Sequence, residues 1–463
     1  MSSAPRLVIV GGSDAGISAG LRARELDRAV RPTVVVGDAY PNFSICGIPY
    51  WLSGEVRERR ELAHRSREEL ERAGLKLRLQ TVAERIEVDK RVLIVRAPGG
   101  RREAIEYDRL VVATGAVPAR PPIPGIELAG VHVLRSIGDA SAVQDALGAG
   151  AWSAVIVGAG YLGVEMADAL SRRGLRVSLV EQAPSALTSV DPELGERVVE
   201  ELSGQGVRCS IGVRVTGIER RADRLVVLAE GGVRAEGEIV LVLAGVRPDT
   251  RLACEAGASV GVRGAIAVDR QMRTDLPGVW AAGDCVETHH QLLDRPEYMP
   301  LGSTAHKQGR VAGENAIGGS ARFVGSLGTQ VVKVFDLAIA ATGLRESVAR
   351  AEGFDALTIE TIAEDHKAYY PGAHRLRLRI VGDLESGQLL GAQILGHKSG
   401  QVSKRIDTIA TAIYHRMTVA EVSGLDLGYT PPFSSPWDPV QIACQAWESA
   451  QRSRSRPLQS VAV

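Results

Sequence analysis

Hydrophobic positions along the chain fall into short apolar runs followed by glycine and then by helix-spaced apolar residues. The first run is RLVIVGGSDAGISAGLRARELD from Arg6, and the pattern returns as SAVIVGAGYLGVEMADALSRRG from Ser153. Each reads as a buried strand, a glycine-rich turn and a helix. Each half then passes through short strand-like stretches to another apolar strand closed by glycine, YDRLVVATGA at 107–116 and EIVLVLAGV at 238–246. Two complete units predict an α/β protein with two Rossmann-like nucleotide-binding domains. Beyond them, VVKVFDLAIAATG and RLRLRIVGD alternate as strands, and KRIDTIATAIYHRM carries Ile406, Ile409, Ala410 and Ile413 at helical spacing. That region is expected to form a third, α+β domain. The closing QRSRSRPLQSVAV has the polar composition of a disordered tail.

Composition narrows the function classes. A chain of 463 residues is long enough for several domains. Lys+Arg and Asp+Glu balance at 55 each, which argues against nucleic-acid or membrane-surface binding through bulk charge. The apolar runs are strand-length, far below the ~20 residues of a membrane span, and MSSAPRLVIVGG lacks a signal-peptide pattern. The expected location is the cytoplasm. Five cysteines stand at 46, 209, 254, 285 and 444 without CxxC or zinc spacing. No metal site is expected, since the nine histidines form no HExxH and the adjacent pair His289-His290 falls in an expected loop.

The two turns carry the first chemistry. A strand, a tight turn and a helix N-terminus direct backbone N–H groups at a pyrophosphate. The candidates are Gly11, Gly12, Ser13, Ala15 and Gly16 in the first unit and Gly158, Gly160, Tyr161, Leu162 and Gly163 in the second. Ser13 stands where the middle glycine of the pattern would be; it is small enough for close backbone approach. Asp38 and Glu181 follow at the ends of the next strands, where a carboxylate accepts hydrogen bonds from ribose hydroxyls and repels a 2′-phosphate. The second site should therefore prefer NADH to NADPH.

Together with this repeat, three further stretches make the chain resemble the flavin- and pyridine-nucleotide-dependent disulfide reductases over nearly its whole length. TDLPGVWAAGDCVE (274–287) is similar to the second flavin motif, ATG (113–115) to the connector after the first unit, and GVRPDT (245–250) to the turn back to the flavin domain. The resemblance implies FAD, with Asp284 on the flavin ribitol and further cofactor contacts from Val82, Thr114, Gly115 and Gly245. It also implies a domain order: FAD-binding at 1–115 and 247–325, NAD(P)H-binding at 116–246, a dimerisation domain at 326–450 and the tail at 451–463.

NFSICGIPY (42–50) is similar to the S-F-x-x-C-G-x-P-Y pattern of coenzyme A disulfide reductases, with Asn42 in place of the serine. Two-cysteine members of the family carry the second cysteine five positions on; here that position is Trp51, which excludes an internal disulfide. Cys46 resembles the single redox cysteine of the remaining subgroup, which works through a mixed disulfide or a sulfenic acid, and Asn42 and Ser44 are the implied substrate contacts. A cysteine at a helix start is expected to have a lowered pKa, and the alternative is an inert buried thiol. Cys209, Cys254, Cys285 and Cys444 are expected to be packing residues.

No histidine appears in GYTPPFSSPWDPV (428–440), where the glutathione-type enzymes keep their acid. Coenzyme A disulfide reductases carry tyrosines in similar Y-x-P-P-F and Y-Y-P-G stretches, present here as GYTPPF and KAYYPGA. The resemblance implies that Tyr429 and Tyr370 act as catalytic residues with Tyr369 at the substrate, reaching the site from the partner subunit of a homodimer, and leaves open which of Tyr370 and its neighbour Tyr369 faces the reacting sulfur. Asp14 stands where NADH oxidases and peroxidases have histidine and coenzyme A disulfide reductases a small residue; a local acid/base and a solvated helix-start residue are both open. His306 is open between packing and a flavin contact. The expected activity is FAD-dependent transfer of electrons from NADH to Cys46 and on to a low-molecular-weight disulfide, coenzyme A disulfide or a related persulfide or polysulfide. The alternatives are an NADH oxidase or peroxidase using a sulfenic acid, and a redox-responsive flavoprotein acting mainly by binding.

Overall fold

The computed structural model describes residues 4–455. Strand Leu7–Val10 is buried at every position and lies between Arg109–Val112 and Thr33–Val35, both parallel to it, with Val8 opposite Thr33 and Leu110. Lys76–Arg78 and Val279–Ala281 complete a five-stranded parallel sheet at its two edges. A fully apolar strand such as LVIV requires cover on both faces, and the helices Asp14–Leu26 and Gly302–Ala316 belong to that cover.

The second unit repeats this order. Ser153–Val157 lies between Arg176–Glu181 and Ile239–Val242, with Arg208–Ile211 and Val131–His132 at the edges, all parallel. Both units insert an antiparallel three-stranded meander before the returning strand, spanning Val82–Glu87 to Arg102–Glu106 in the first and Val215–Arg221 to Arg234–Gly237 in the second. The units differ at one edge. Val279–Ala281 enters the first sheet after the whole second unit has been built, whereas Val131–His132 enters the second sheet before it. The two connecting segments run side by side, Ala116–Pro118 pairing antiparallel with Val246–Pro248.

The C-terminal region is a five-stranded antiparallel sheet in the order Gln330–Val334, Leu337–Gly343, Leu389–His397, Arg375–Asp383, Ala356–Glu364. Ile406, Ile409 and Ile413 of the Val402–Tyr414 helix share one buried core with Leu378, Ile380 and Ile394, as their spacing predicts. Trp447 of the last helix is fully buried there and donates its Nε1–H to the Leu357 carbonyl at 2.8 Å. The expected strand VVKVFDLAIAATG is in fact a hairpin turning at Phe335 and Asp336, because Phe335 takes a left-handed φ of 53°. His289 and His290, expected in a loop, lie in the short strand Thr288–His290. The final helix, Pro439–Ser455, continues into the segment expected to be disordered; the rest of that segment lies outside the described residues.

Candidate active site

The first glycine turn brings strand and helix into contact. Gly11 has φ +119°, and a Cβ there would lie 2.0 Å from the Ala113 carbonyl oxygen, so glycine is required. Ser13 is extended (φ −102°, ψ −161°), a conformation open to any residue, which explains why serine is tolerated. As N-cap of the Asp14–Leu26 helix its hydroxyl makes no capping bond, and the first-turn N–H groups stay available to an anion. Asp38 lies past the end of the neighbouring strand, its carboxylate accepting from Tyr40 N–H at 3.2 Å, and Val82 flanks Gly37. Thr114 donates its hydroxyl to the Asp249 carbonyl at 2.5 Å, and Asp249 N–H donates to Gly115, clamping the two connectors together.

The second turn has the same build. Gly158 (φ +111°) passes the Leu243 carbonyl where a Cβ would lie 2.4 Å away, and beside Gly160 nothing stands within 4 Å of where a side chain would start. That open space belongs to a cleft of about 520 Å³ that Gly245 and Glu181 also line. Each Glu181 oxygen accepts one backbone N–H, from Ala159 and Ala183, both at 2.6 Å. Both oxygens keep lone pairs for ribose hydroxyls. Arg214, on the same cleft, is engaged by Glu230 at 2.6 Å. Tyr161 shares a hydrogen bond with Ser189 Oγ at 2.8 Å, and Leu162 packs beside it. Turn, helix start and acidic strand end thus fit a dinucleotide in each unit, FAD in the first and a pyridine nucleotide in the second.

Cys46 sits in a single 3₁₀ turn, Ile45–Gly47, held by Ser44, whose Oγ accepts Gly47 N–H at 3.1 Å. Phe43, Ile45 and Trp51 pack against the core beneath, leaving Cys46, exposed as a residue, on the wall of a narrow cleft of about 120 Å³. Asp14, Ser13, Gly115, Arg135 and Asp284 line the same cleft. The expected lowering of the thiol pKa is reversed. Protein packed around the cleft wall pushes it up, Glu165, Asp14 and Asp284 add to this, and Arg135 works against them. The helix after Cys46, Ile48–Ser53, is six residues long, and Ser44 already occupies the Gly47 N–H, so little helix-end potential remains to offset three carboxylates.

Asp284 holds Arg135 at 2.9 Å, and Tyr298 donates its hydroxyl to the Asp284 carbonyl at 3.0 Å. Glu165 accepts from the Tyr50 hydroxyl at 3.4 Å, and burial pushes its carboxyl up to about 7. Lys333 of the C-terminal sheet lies over the Tyr50 ring and bonds Asp168 at 2.8 Å, so this polar cluster joins three parts of the chain. Asp14 also lines an adjoining groove with Asn42, Ser18, His64 and His306, and its Oδ1 lies 3.8 Å from His64 Nε2. Asn42 is buried with φ 57°, its N–H on the Gly12 carbonyl and its carbonyl accepting from His64 N–H. His306 bonds Ser18 across the helix pair at 2.8 Å.

The expected tyrosines are elsewhere on the subunit. Tyr369 lies beside Tyr429, Tyr370 sets its ring edge against His366, and all three are exposed together with Phe433 and Trp437. They do not line the Cys46 cleft of their own chain. Cys285 and Cys444 are buried, their thiols pushed up to about 11 and about 12 by burial, and Cys209 is partly buried. Cys254 is exposed at a short helix end, contrary to its expected packing role. No cluster able to hold a metal occurs among the described residues, and no described helix is long and apolar enough to cross a membrane.

Sequence reasoning missed Arg135, Glu165 and His64 as parts of the site. Glu165 had a usable signal, standing four residues after Tyr161 on the same helix face. Arg135 and His64 have none, since each reaches the cleft from a segment without a motif.

Residues 5–309 match the family model described as pyridine nucleotide-disulphide oxidoreductase, and residues 329–439 match its dimerisation domain. The chain is 35% identical to an NAD(P)H coenzyme A polysulfide/persulfide reductase of Pyrococcus horikoshii, covering 94% of this chain and 97% of that one. It is 31% identical to an NADH oxidase of Methanocaldococcus jannaschii, over 95% and 98%. The crystal structure of reduced CoADR-RHD from Bacillus anthracis superposes with a TM-score of 0.94 at 31% identity, covering 97% of this chain and 81% of that one.

Proposed function

This chain belongs to the pyridine nucleotide-disulphide oxidoreductase family, and from that premise we propose that it is a cytoplasmic, homodimeric NADH-dependent reductase of coenzyme A disulfide or a related persulfide or polysulfide. The observation that carries this reading is the single cysteine Cys46, exposed on the cleft wall, with Trp51 where a second cysteine would stand. The division into 1–115 with 247–325, 116–246 and 326–450 is part of the same proposal.

Bound FAD supplies a relay for the two electrons of a pyridine-nucleotide hydride. The chain's residues do the rest. The Gly158–Gly163 turn and its helix N-terminus hold the pyrophosphate of NADH, and Glu181 selects its free 2′-hydroxyl against a 2′-phosphate. Asp14–Leu26 offers the matching helix start to FAD, with Asp38 at the ribose and Asp284 at the ribitol. Cys46 Sγ attacks one sulfur of the substrate, its S–S bond breaks, and the distal thiolate leaves. Tyr429 and Tyr370, with Tyr369 beside them, reach this substrate from the partner subunit, and a phenol hydroxyl there protonates the distal thiolate. Asn42 and Ser44 border the substrate at the turn that carries Cys46.

The test is Cys46→Ser in the flavin-loaded protein. NADH should still bleach the flavin, while NADH-dependent cleavage of coenzyme A disulfide falls to background; full disulfide turnover in this variant sinks the mechanism. The likeness to an NADH oxidase favours a second reading, in which Cys46 cycles through a sulfenic acid. Oxygen or peroxide consumed in step with NADH, with no disulfide present, would select it.

A further inference from the structure

Resting on that reading, each turnover releases two thiols from different places. The first leaves on the far side of the substrate, within reach of the partner's tyrosines. The second leaves from the sulfur bound to Cys46, inside the narrow cleft, and needs a proton there. Three carboxylates act on Cys46. Asp284 is engaged by Arg135 at 2.9 Å. Glu165 lies behind Tyr50 on the pyridine-nucleotide side, accepting a hydrogen bond from that hydroxyl.

Asp14 is differently placed. It lines both the Cys46 cleft and the groove leading outward, and its Oδ2 would touch a side chain at Gly302, so it is pinned between the starts of two packed helices. Its ion-pair neighbour among the described residues is His64, whose side chain is 53% exposed. The other groups facing it are Asp284, His306 and Arg135; His306 is occupied by Ser18. His64 thus stands between solvent and Asp14 on the outer groove, and Asp14 shares the inner cleft with Cys46.

We propose that Asp14 is the general acid for the thiol that leaves Cys46, and that His64 returns its proton from solvent. In this step the bond between Cys46 Sγ and the substrate sulfur breaks, two electrons arrive from NADH through the flavin, and Cys46 remains as thiolate. The departing thiolate takes the Asp14 proton and leaves as a thiol, and the Asp14 carboxylate is reprotonated through His64. With the proton released from the NADH hydride, this solvent proton balances the two thiols formed. Burial raises the Asp14 pKa and the Asp284 charge adds to this, while His64, His306 and Arg135 work against them; the net direction is upward, toward the protonated acid.

The experiment uses flavin-loaded dimer carrying Cys254→Ser, so that the exposed thiol does not interfere. Cys46 is loaded as a mixed disulfide with cysteamine or with thionitrobenzoate and reduced anaerobically by NADH. Asp14→Asn should slow release of the basic alkyl thiol by about 100-fold, the low end of general acid catalysis, and leave the acidic aryl thiol nearly unaffected. His64→Gln should slow alkyl-thiol release and be rescued by added imidazole. Independently of turnover, iodoacetamide labelling of Cys46, followed by mass spectrometry, should shift in Asp14→Asn to lower pH by about one unit as a neighbouring negative charge is lost. Equal slowing of both thiols, or an unchanged labelling profile, overturns the proposal. If the parent protein forms no mixed disulfide, the functional reading fails instead, and the labelling profile alone decides whether Asp14 and Cys46 share a proton.

Discussion

Glu165 exerts the largest charge effect on Cys46 and is itself held near neutrality by burial. Its folded pKa of about 7 lies above the ordinary 4.5. The stability it contributes is therefore complete below about 4.5 and is lost as pH rises through about 7. Glu165→Gln, which mimics the protonated form, should leave the thermal midpoint unchanged in acid and stabilise the protein above neutrality by about 1–3 kcal/mol, from the free energy of one pKa unit. Thermal melts across that window check this, and a pH-independent difference would refute it. At this scale the sequence was a partial guide. Cys46 and the two acidic strand ends were legible because their motifs are local. The thiol's raised pKa was not, because it comes first from burial and then from Glu165, Asp14 and Asp284, which lie on three separate segments that a helix-start argument does not contain.

Helix Asp14–Leu26 and helix Gly302–Ala316 make the most intimate pair in the site. A Cβ at Gly309 would lie 2.2 Å from the Ala15 carbonyl oxygen, and one at Gly313 2.1 Å from that of Ala19. This contact sets Asp14, Ser18 and His306 around one groove. Gly313→Ala must separate the helices, at a cost of about 1–3 kcal/mol for overpacking. The expected result is a lower thermal midpoint and loss of flavin absorbance on gel filtration, while Gly148→Ala, with nothing within 4 Å, changes neither. The strand–turn–helix units themselves were readable from Gly11 to Leu26 and from Gly158 to Arg172, since apolar runs and glycine turns act locally. Val131–His132 was unreadable: two residues show no period, and only the neighbouring Ile239–Val242 makes them a strand.

Across the molecule, charged and amide side chains tie the C-terminal sheet to the second nucleotide unit. Arg379, 15% exposed, binds Asp191 and Glu193 at 2.9 Å, and Gln393 donates to Asp191 at 2.7 Å. Lys333 binds Asp168 in the same manner nearer Cys46. The same region leaves Tyr369, Tyr429, Phe433 and Trp437 exposed, aromatic surface suited to a second copy of the matching dimerisation domain. Phe433→Asp should yield a monomer by light scattering that still reduces its flavin with NADH but no longer turns over disulfide, because on the proposed reading both nucleotide sites lie within one chain while the tyrosines at the substrate come from its partner. A dimer of full activity would refute the shared site. What the sequence alone determined is the architecture and its cofactors: buried strands, glycine turns and acidic strand ends are written in consecutive residues whose sterics and polarity act over a few positions. What the tertiary structure decided is the proton chemistry, since Cys46, Asp14, His64, Glu165, Arg135 and Lys333 become neighbours only on folding, and electrostatic effects depend on distance and burial in space rather than on separation along the chain.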